Sequence, residues 1–181
     1  MKELALHMLD LAENSLRAGA TEIAITIERD EAADRLTLRI ADNGRGMPPE
    51  VLARVSDPFY TTKTTRRTGL GIPLAAHAAQ QAGGSFSIQS QQGIGTSITA
   101  VFQHSHIDRQ PLGDMAGTIA AILLANPAIE LRFICRSGKG EYSLDTIQLR
   151  GQLDGVPLNH VAVLGVLRET IVNNMTALCI S

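Results

Sequence analysis

The sequence predicts an α+β fold, a two-layer α/β sandwich with a smaller C-terminal α+β extension. Three observations predict it. Apolar residues alternate with polar ones in short runs, apolar residues at helical spacing lie between those runs, and glycine-bearing turns join consecutive strand runs. Helices that alternate with an antiparallel-leaning sheet bury their apolar faces by packing as two layers.

The elements follow in chain order. Leu4, Leu6, Leu9, Leu11, Ala12 and Leu16 are spaced as in an amphipathic helix over 3–18, and Gly19 stands where a helix-ending residue with positive φ belongs. Ile23, Ile25 and Ile27 then alternate in a strand over 22–28, and Leu36, Leu38 and Ile40 in a second over 35–41. Asp42 to Pro49 is a turn-rich loop, with Pro49 suited to the first turn of a short helix reaching Arg54. A polar loop covers 56–68, and 70–82 reads as a helix ending at Gly83 and Gly84. Strands over 85–90 and 96–102 flank the hairpin Gln91-Gln-Gly-Ile-Gly95. Because Thr68 to Ile107 holds no charged side chain, it reads as buried or semi-buried.

His104 to Leu112 reads as a connector, so the chain divides into 1–103 and 104–181. The second part is predicted as a helix over 117–125 stopped at Asn126-Pro127, strands over 129–136 and 141–144, and a helix over 159–174 with Leu164, Leu167, Ile171 and Met175 on one stripe.

Composition limits the function. With 181 residues, a net charge of −2 and a pI near 6.2, the chain does not suit a partner bound by phosphate neutralisation, so no nucleic acid is expected. Cys135 and Cys179 form no Cys-x-x-Cys pair, which points to a reducing cytoplasm and away from a zinc site. Glu3 and Asp10 interrupt what a signal peptide would need, and the apolar run 115–129 carries Asn126 and Pro127. That run falls short of the roughly 20 residues a bilayer demands, so no membrane partner is expected.

The chemistry lies in an ordered set: Asn14 on the first helix, Asp42-x-Gly44-x-Gly46, Phe59-Tyr-Thr-Thr-Lys63, Thr68-Gly69-Leu70-Gly71, and Gly95-Thr96. Each is weak alone. In this order, with loop-sized gaps, they resemble the nucleotide-binding domain of the superfamily named for gyrase, heat-shock chaperones, histidine kinases and mismatch-repair ATPases, over roughly residues 3–103. The resemblance implies the Bergerat-type sandwich of histidine kinase-like ATPases, ATP as ligand and Mg²⁺ as its ion.

Residue by residue, the resemblance makes Asn14 the Mg²⁺ ligand, consistent with an ion that prefers oxygen donors and is held by one or two protein groups plus phosphates. It makes Asp42 the adenine-reading carboxylate. An ionised carboxylate accepts hydrogen bonds and donates none, so it selects the amino group of adenine over the carbonyl of guanine. Gly44 and Gly46 are expected to let backbone approach the base, and Thr96 to support the adenine site. Met47, Phe59, Thr62, Lys63, Thr68, Gly69, Leu70 and Gly71 fall at nucleotide-contacting positions. Lys63, with Arg66 and Arg67, supplies cations opposite a triphosphate, and Lys63 is also a catalytic candidate. Gly69 and Gly71 open a helix whose amides would face phosphate.

Hydrolytic members of the superfamily place Glu four residues before the magnesium Asn, whereas this chain has Asp10 there and Glu13 next to Asn14. Asp10 is the candidate base. His7 lies on the nucleotide-binding helix itself, outside the dimerisation-helix setting of a phosphoacceptor His. The implied function is a Mg-ATP-binding protein kinase or kinase-like regulator that passes the γ-phosphate to an unidentified protein partner. The alternatives are a slow ATPase switch and a non-catalytic ATP sensor.

Overall fold

The computed structural model describes residues 3–55 and 71–180. Within them, α1 (Leu4–Arg17) buries Leu4, Met8, Leu11 and Ser15 on one face, the stripe that the spacing predicts. Gly19 adopts φ 80°, and a Schellman motif closes the helix: the Ala20 amide reaches Ser15 O at 3.1 Å and the Gly19 amide reaches Leu16 O at 3.0 Å.

The chain then forms β1 (Glu22–Asp30), β2 (Arg35–Asp42), a four-residue α2 (Pro49–Leu52), α3 (Gly71–Gln81), β3 (Ser85–Gln91) and β4 (Gly95–Gln103). After the connector come α4 (Met115–Ala125), β5 (Glu130–Ser137), β6 (Gly140–Asp145), α5 (Thr146–Gln152) and α6 (Val161–Ala177). These strands lie in one six-stranded sheet of order β3-β4-β2-β1-β5-β6. Neighbours are antiparallel except β1 and β5, which run parallel. Ile25 stands beside Ile40 on one side and Phe133 on the other. These residues, with Ile98 and Phe102, face the helices as one hydrophobic core, while Arg39 and Ser87 on the opposite pleat are exposed. The two layers of the predicted sandwich are thus a helix layer and a sheet with an open face.

Residues 104–181 add β5 and β6 to this same sheet, and α4 packs against both α1 and α6. The connector is bonded to the first helix. Leu4 and Ala5 donate their amides to Pro111 O at 3.0 Å and Leu112 O at 2.8 Å, and Thr118 Oγ1 donates to Ala5 O at 3.3 Å. The two amide bonds satisfy donors in the first turn of α1 that have no intrahelical partner.

The structure departs from the sequence reading at β3, α4 and α5, and α6 runs Val161–Ala177 where 159–174 is predicted. The uncharged stretch 68–107 is not uniformly buried: along β3, Ser85, Ser87, Gln89 and Gln91 are exposed, because β3 is an edge strand and uncharged polar side chains suffice on an open pleat. Helix α4 starts at Met115, two residues early, because the Asp114 carboxylate caps it by accepting from the Gly117 amide at 2.7 Å. Helix α5 has no counterpart in the sequence reading, since seven residues carry too little periodicity. Asp145 caps it by accepting from the Ile147 amide at 2.8 Å, and buried Thr146 ties it to β5 by accepting from the Leu131 amide at 2.8 Å.

Phe133 is fully buried at the centre of β5. Phe133→Ala is expected to lower stability by about 3–5 kcal/mol and the melting temperature by on the order of 10 °C, in a single transition followed by circular dichroism. Two transitions, one unchanged from the parent, would show that β5 unfolds apart from the strands it joins.

Candidate functional site

The site is built where the C-terminal half of α1 crosses the ends of β2 and β4. Asp42 is the last residue of β2 and pairs with Thr96 on β4, on the helix-facing pleat that carries Leu38 and Ile40. Its carboxylate is held at both oxygens. The Ser15 hydroxyl of α1 donates to Oδ2 at 2.7 Å, and the Gly44 amide donates to Oδ1 at 2.9 Å, an Asx turn. Each oxygen keeps lone-pair capacity for a further donor.

Beside this carboxylate lies a hydroxyl cluster. Ser90 on β3 accepts from the Met47 amide at 2.8 Å and donates to Gly95 O at 3.0 Å. Its single proton is then committed, so Thr96 Oγ1 at 2.9 Å donates to it. Thr96 is left able to accept but not to donate, which complements a ligand amino group or a water that bridges to one. Alternation puts Ser90 on the pleat of Phe86 and Ile88, opposite Ser85 and Ser87, but its partners Met47 and Gly95 approach from outside β3, so sequence reasoning missed its role.

The glycines of the loop also have close neighbours within the protein. Gly46 has φ 62°, and a Cβ there would lie 2.0 Å from Gln91 O, while a Cβ on Gly95 would lie 2.0 Å from Asp42 O. Backbone of the 42–47 loop therefore presses against backbone of the β3–β4 hairpin, and the Gly93 amide closes the contact on Arg45 O at 2.8 Å. Gly44 is buried, and a Cβ on it would lie 3.0 Å from both Ala18 Cβ and Asp42 Oδ1. In this structure these glycines admit close approach of the protein's own chain.

One helical turn separates Asp10 from Asn14, and both are half-buried on the side of α1 that meets the start of α3. A Cβ on Gly71, the first residue of α3, would lie 3.2 Å from Asp10 Cβ, 3.5 Å from Asp10 Oδ2 and 3.6 Å from Asn14 Nδ2. The glycine lets α3 settle against this pair. Asn14 Oδ1 accepts from the exposed Arg17 at 3.2 Å, which leaves the oxygen a second lone pair for a cation. Glu13 turns to solvent and pairs with Arg17 at 2.5 Å, as its offset of about 100° from Asn14 predicts.

His7 is buried and shares a hydrogen bond of 2.9 Å with Gln110 Oε1, and burial pushes its pKa down. A neutral, enclosed imidazole that links α1 to the connector is not placed to accept a phosphoryl group. Burial pushes the Cys135 thiol up to about 11, which makes it inert. Among the described residues no group of three or more His, Cys, Asp or Glu could hold a metal, and no helix is long and apolar enough to cross a membrane. Phe59, Thr62, Lys63, Thr68, Gly69 and Leu70 lie outside the described residues.

Residues 2–106 match the family described as histidine kinase-, DNA gyrase B-, and HSP90-like ATPase. The sensor protein kinase FleS of Pseudomonas aeruginosa is 39% identical over 94 residues, covering 52% of this chain and 23% of FleS. Sporulation kinase C of Bacillus subtilis is 30% identical over 99 residues, covering 55% of this chain and 23% of that kinase. The chain thus spans about a quarter of the length of these relatives. The Aquifex aeolicus MutL ATPase domain complexed with ADP shares the fold with a TM-score of 0.50 at 17% identity, over 80% of this chain and 63% of that one. That likeness takes in more of the chain than the family match does. With the family match spanning more than half of its length, the chain belongs to the histidine kinase-, DNA gyrase B-, and HSP90-like ATPase family.

Proposed function

We propose that the protein binds Mg-ATP and acts as a kinase or kinase-like regulator, passing the γ-phosphate to a residue on a partner protein. The observation that carries this reading is the doubly held carboxylate of Asp42 beside Thr96, set one side of α1 away from Asp10, Asn14 and the start of α3. Asp42 offers an acceptor to an amino group, and α1 carries Asp10 and Asn14 beside Gly71 of α3. The similarity of about half of this chain to FleS and to sporulation kinase C supports the phosphotransfer half of the proposal.

In this reading Asp42 accepts from the exocyclic amino group of adenine, and Thr96 accepts from a bridging water. The α3 amides face the phosphates. Asn14 would hold Mg²⁺ through Oδ1, and the ion would neutralise charge on the phosphates. The acceptor atom of the partner forms a bond to the γ-phosphorus as the bond to the β,γ-bridging oxygen breaks, and ADP keeps that electron pair. The family resemblance makes Phe59, Thr62, Lys63, Thr68, Gly69 and Leu70 nucleotide-contacting residues, with Lys63 a candidate for countering charge on the triphosphate.

A second reading, a slow ATPase switch, is favoured by the position of Asp10. Its carboxylate lies one turn from Asn14 at the mouth of α3, where a base for an attacking water belongs. Such a base must come within roughly 3 Å of its water, and Asp is one methylene shorter than Glu.

Incubation with γ-labelled ATP, with and without co-purifying proteins, separates the readings. Label on a protein supports the kinase, free phosphate the switch, and neither a sensor. Asp42→Asn is expected to weaken ATP binding at least about tenfold, since a hydrogen bond to a charged group contributes roughly 1.5–3 kcal/mol; unchanged affinity by calorimetry would remove the adenine assignment. Asn14→Ala is expected to abolish the magnesium-dependent part of binding while leaving the metal-free part intact. If titrations with and without Mg²⁺ differ as much in the variant as in the parent, Asn14 is not the ligand. Basal hydrolysis is expected to fall in Asp10→Asn, to rise in Asp10→Glu and to stay near the parent rate in Glu13→Gln, whose side chain is paired with Arg17. Loss of turnover in Glu13→Gln alone would move the base to Glu13.

A further inference from the structure

We propose that Ser15 is a positioning residue for base recognition, which orients the Asp42 carboxylate from the neighbouring layer so that adenine is preferred over a purine with a carbonyl at the same position. The proposal rests on the reading of Asp42 given above. Ser15 is buried, with 5% of its surface exposed, and its hydroxyl has one proton to give. Two acceptors lie near: Asp42 Oδ2 at 2.7 Å and Leu11 O at 3.3 Å. The nearer one is charged, and hydrogen bonds to carboxylates are the shorter and stronger kind. Leu11 O is already served by the helix itself, so the proton goes to Asp42.

The Gly44 amide holds only Oδ1, at 2.9 Å. Among the described residues, Ser15 is the side chain that donates to Oδ2. A carboxylate fixed at one oxygen still turns about its Cβ–Cγ bond, a torsion with a broad minimum. Fixed at both, it presents its remaining lone pairs in one direction. Hydrogen bonds weaken steeply as they bend, so this direction decides how well an amino group is received and how strongly a carbonyl oxygen is repelled. Ser15 follows Asn14 in sequence, so the residue that aims the base-reading carboxylate and the residue assigned to the ion are set by one turn of α1.

The experiment titrates ATP and inosine triphosphate, which carries a carbonyl where adenine has its amino group, into the full chain by calorimetry. Ser15→Ala is expected to weaken ATP binding about tenfold, the loss of one bond to a charged group, while inosine triphosphate binding stays within about twofold. Ser15→Thr, which keeps the hydroxyl, is expected to restore the ratio. A packing or folding role would lower both affinities together and would not be rescued through the ratio. Should Ser15→Ala fail to fold, Ser15→Cys keeps the volume with a weak donor and is expected to narrow the same ratio. A parent-like ratio in Ser15→Ala or Ser15→Cys, alongside a lost ratio in Asp42→Asn, overturns the role of Ser15 and leaves the adenine reading standing. A parent that does not discriminate, or an Asp42→Asn variant that discriminates as the parent does, overturns both.

Discussion

The placement of α1 across the helix-facing side of the sheet is the constraint on which the rest depends. Its inner stripe, Leu4, Met8, Leu11 and Ser15, is buried, and burial of each large apolar side chain contributes roughly 1.5–3 kcal/mol. Burial alone would let the helix slide or roll. Directional bonds fix it: the Leu4 and Ala5 amides on the connector at one end, and the Ser15 hydroxyl on Asp42 with the Schellman closure at the other. The remaining face, with Asp10 and Asn14, is thereby aimed at α3.

How much of this could be read in advance differs by residue. The periodicity of α1, β1 and β2 is explicit, since Ile23, Ile25, Ile27, Leu36, Leu38 and Ile40 are all buried as the alternation requires. Asp10 and Asn14 share a helix face for the same elementary reason. Ser15 and Ser90 were not legible, because a hydroxyl acquires its role from what lies across a layer or a strand, and local spacing holds no record of Asp42 approaching Ser15 or of Met47 approaching Ser90. The parallel pairing of β5 with β1 was hidden for the same reason: it joins segments about a hundred residues apart. The absence of charge in 68–107 misled, since it describes composition and β3 obeys position at the sheet edge.

The glycines of the 42–47 loop give the site a property the motif alone does not imply. Gly46 and Gly95 are demanded by backbone on backbone, since a Cβ on either would come within 2.0 Å of a carbonyl oxygen, so the loop is clamped between Ala18 and the β3–β4 hairpin before any ligand arrives. A clamped loop loses little conformational freedom on binding, and pre-organisation of this kind favours affinity. It also makes the loop intolerant: a Cβ at Gly46 would both strain a positive φ and part the loop from Gln91, and Asp42 would move with it.

The C-terminal part enters the same logic through the far end of α1. From Leu4, bonded to Pro111, to Asn14 the helix rises about 15 Å, at roughly 1.5 Å per residue, and it behaves as a stiff rod over that length. His7 on Gln110 and Thr118 on Ala5 O add further links at the same end. A tilt of α1 that moved Asn14 relative to Asp42 would therefore have to break Ser15 from Asp42, or strain the Leu4 and Ala5 bonds, or carry α4 along with it. Because α4 packs on α6, the last of these shifts the helices of residues 115–177 as well, and the geometry of the site is set jointly by both parts of the chain.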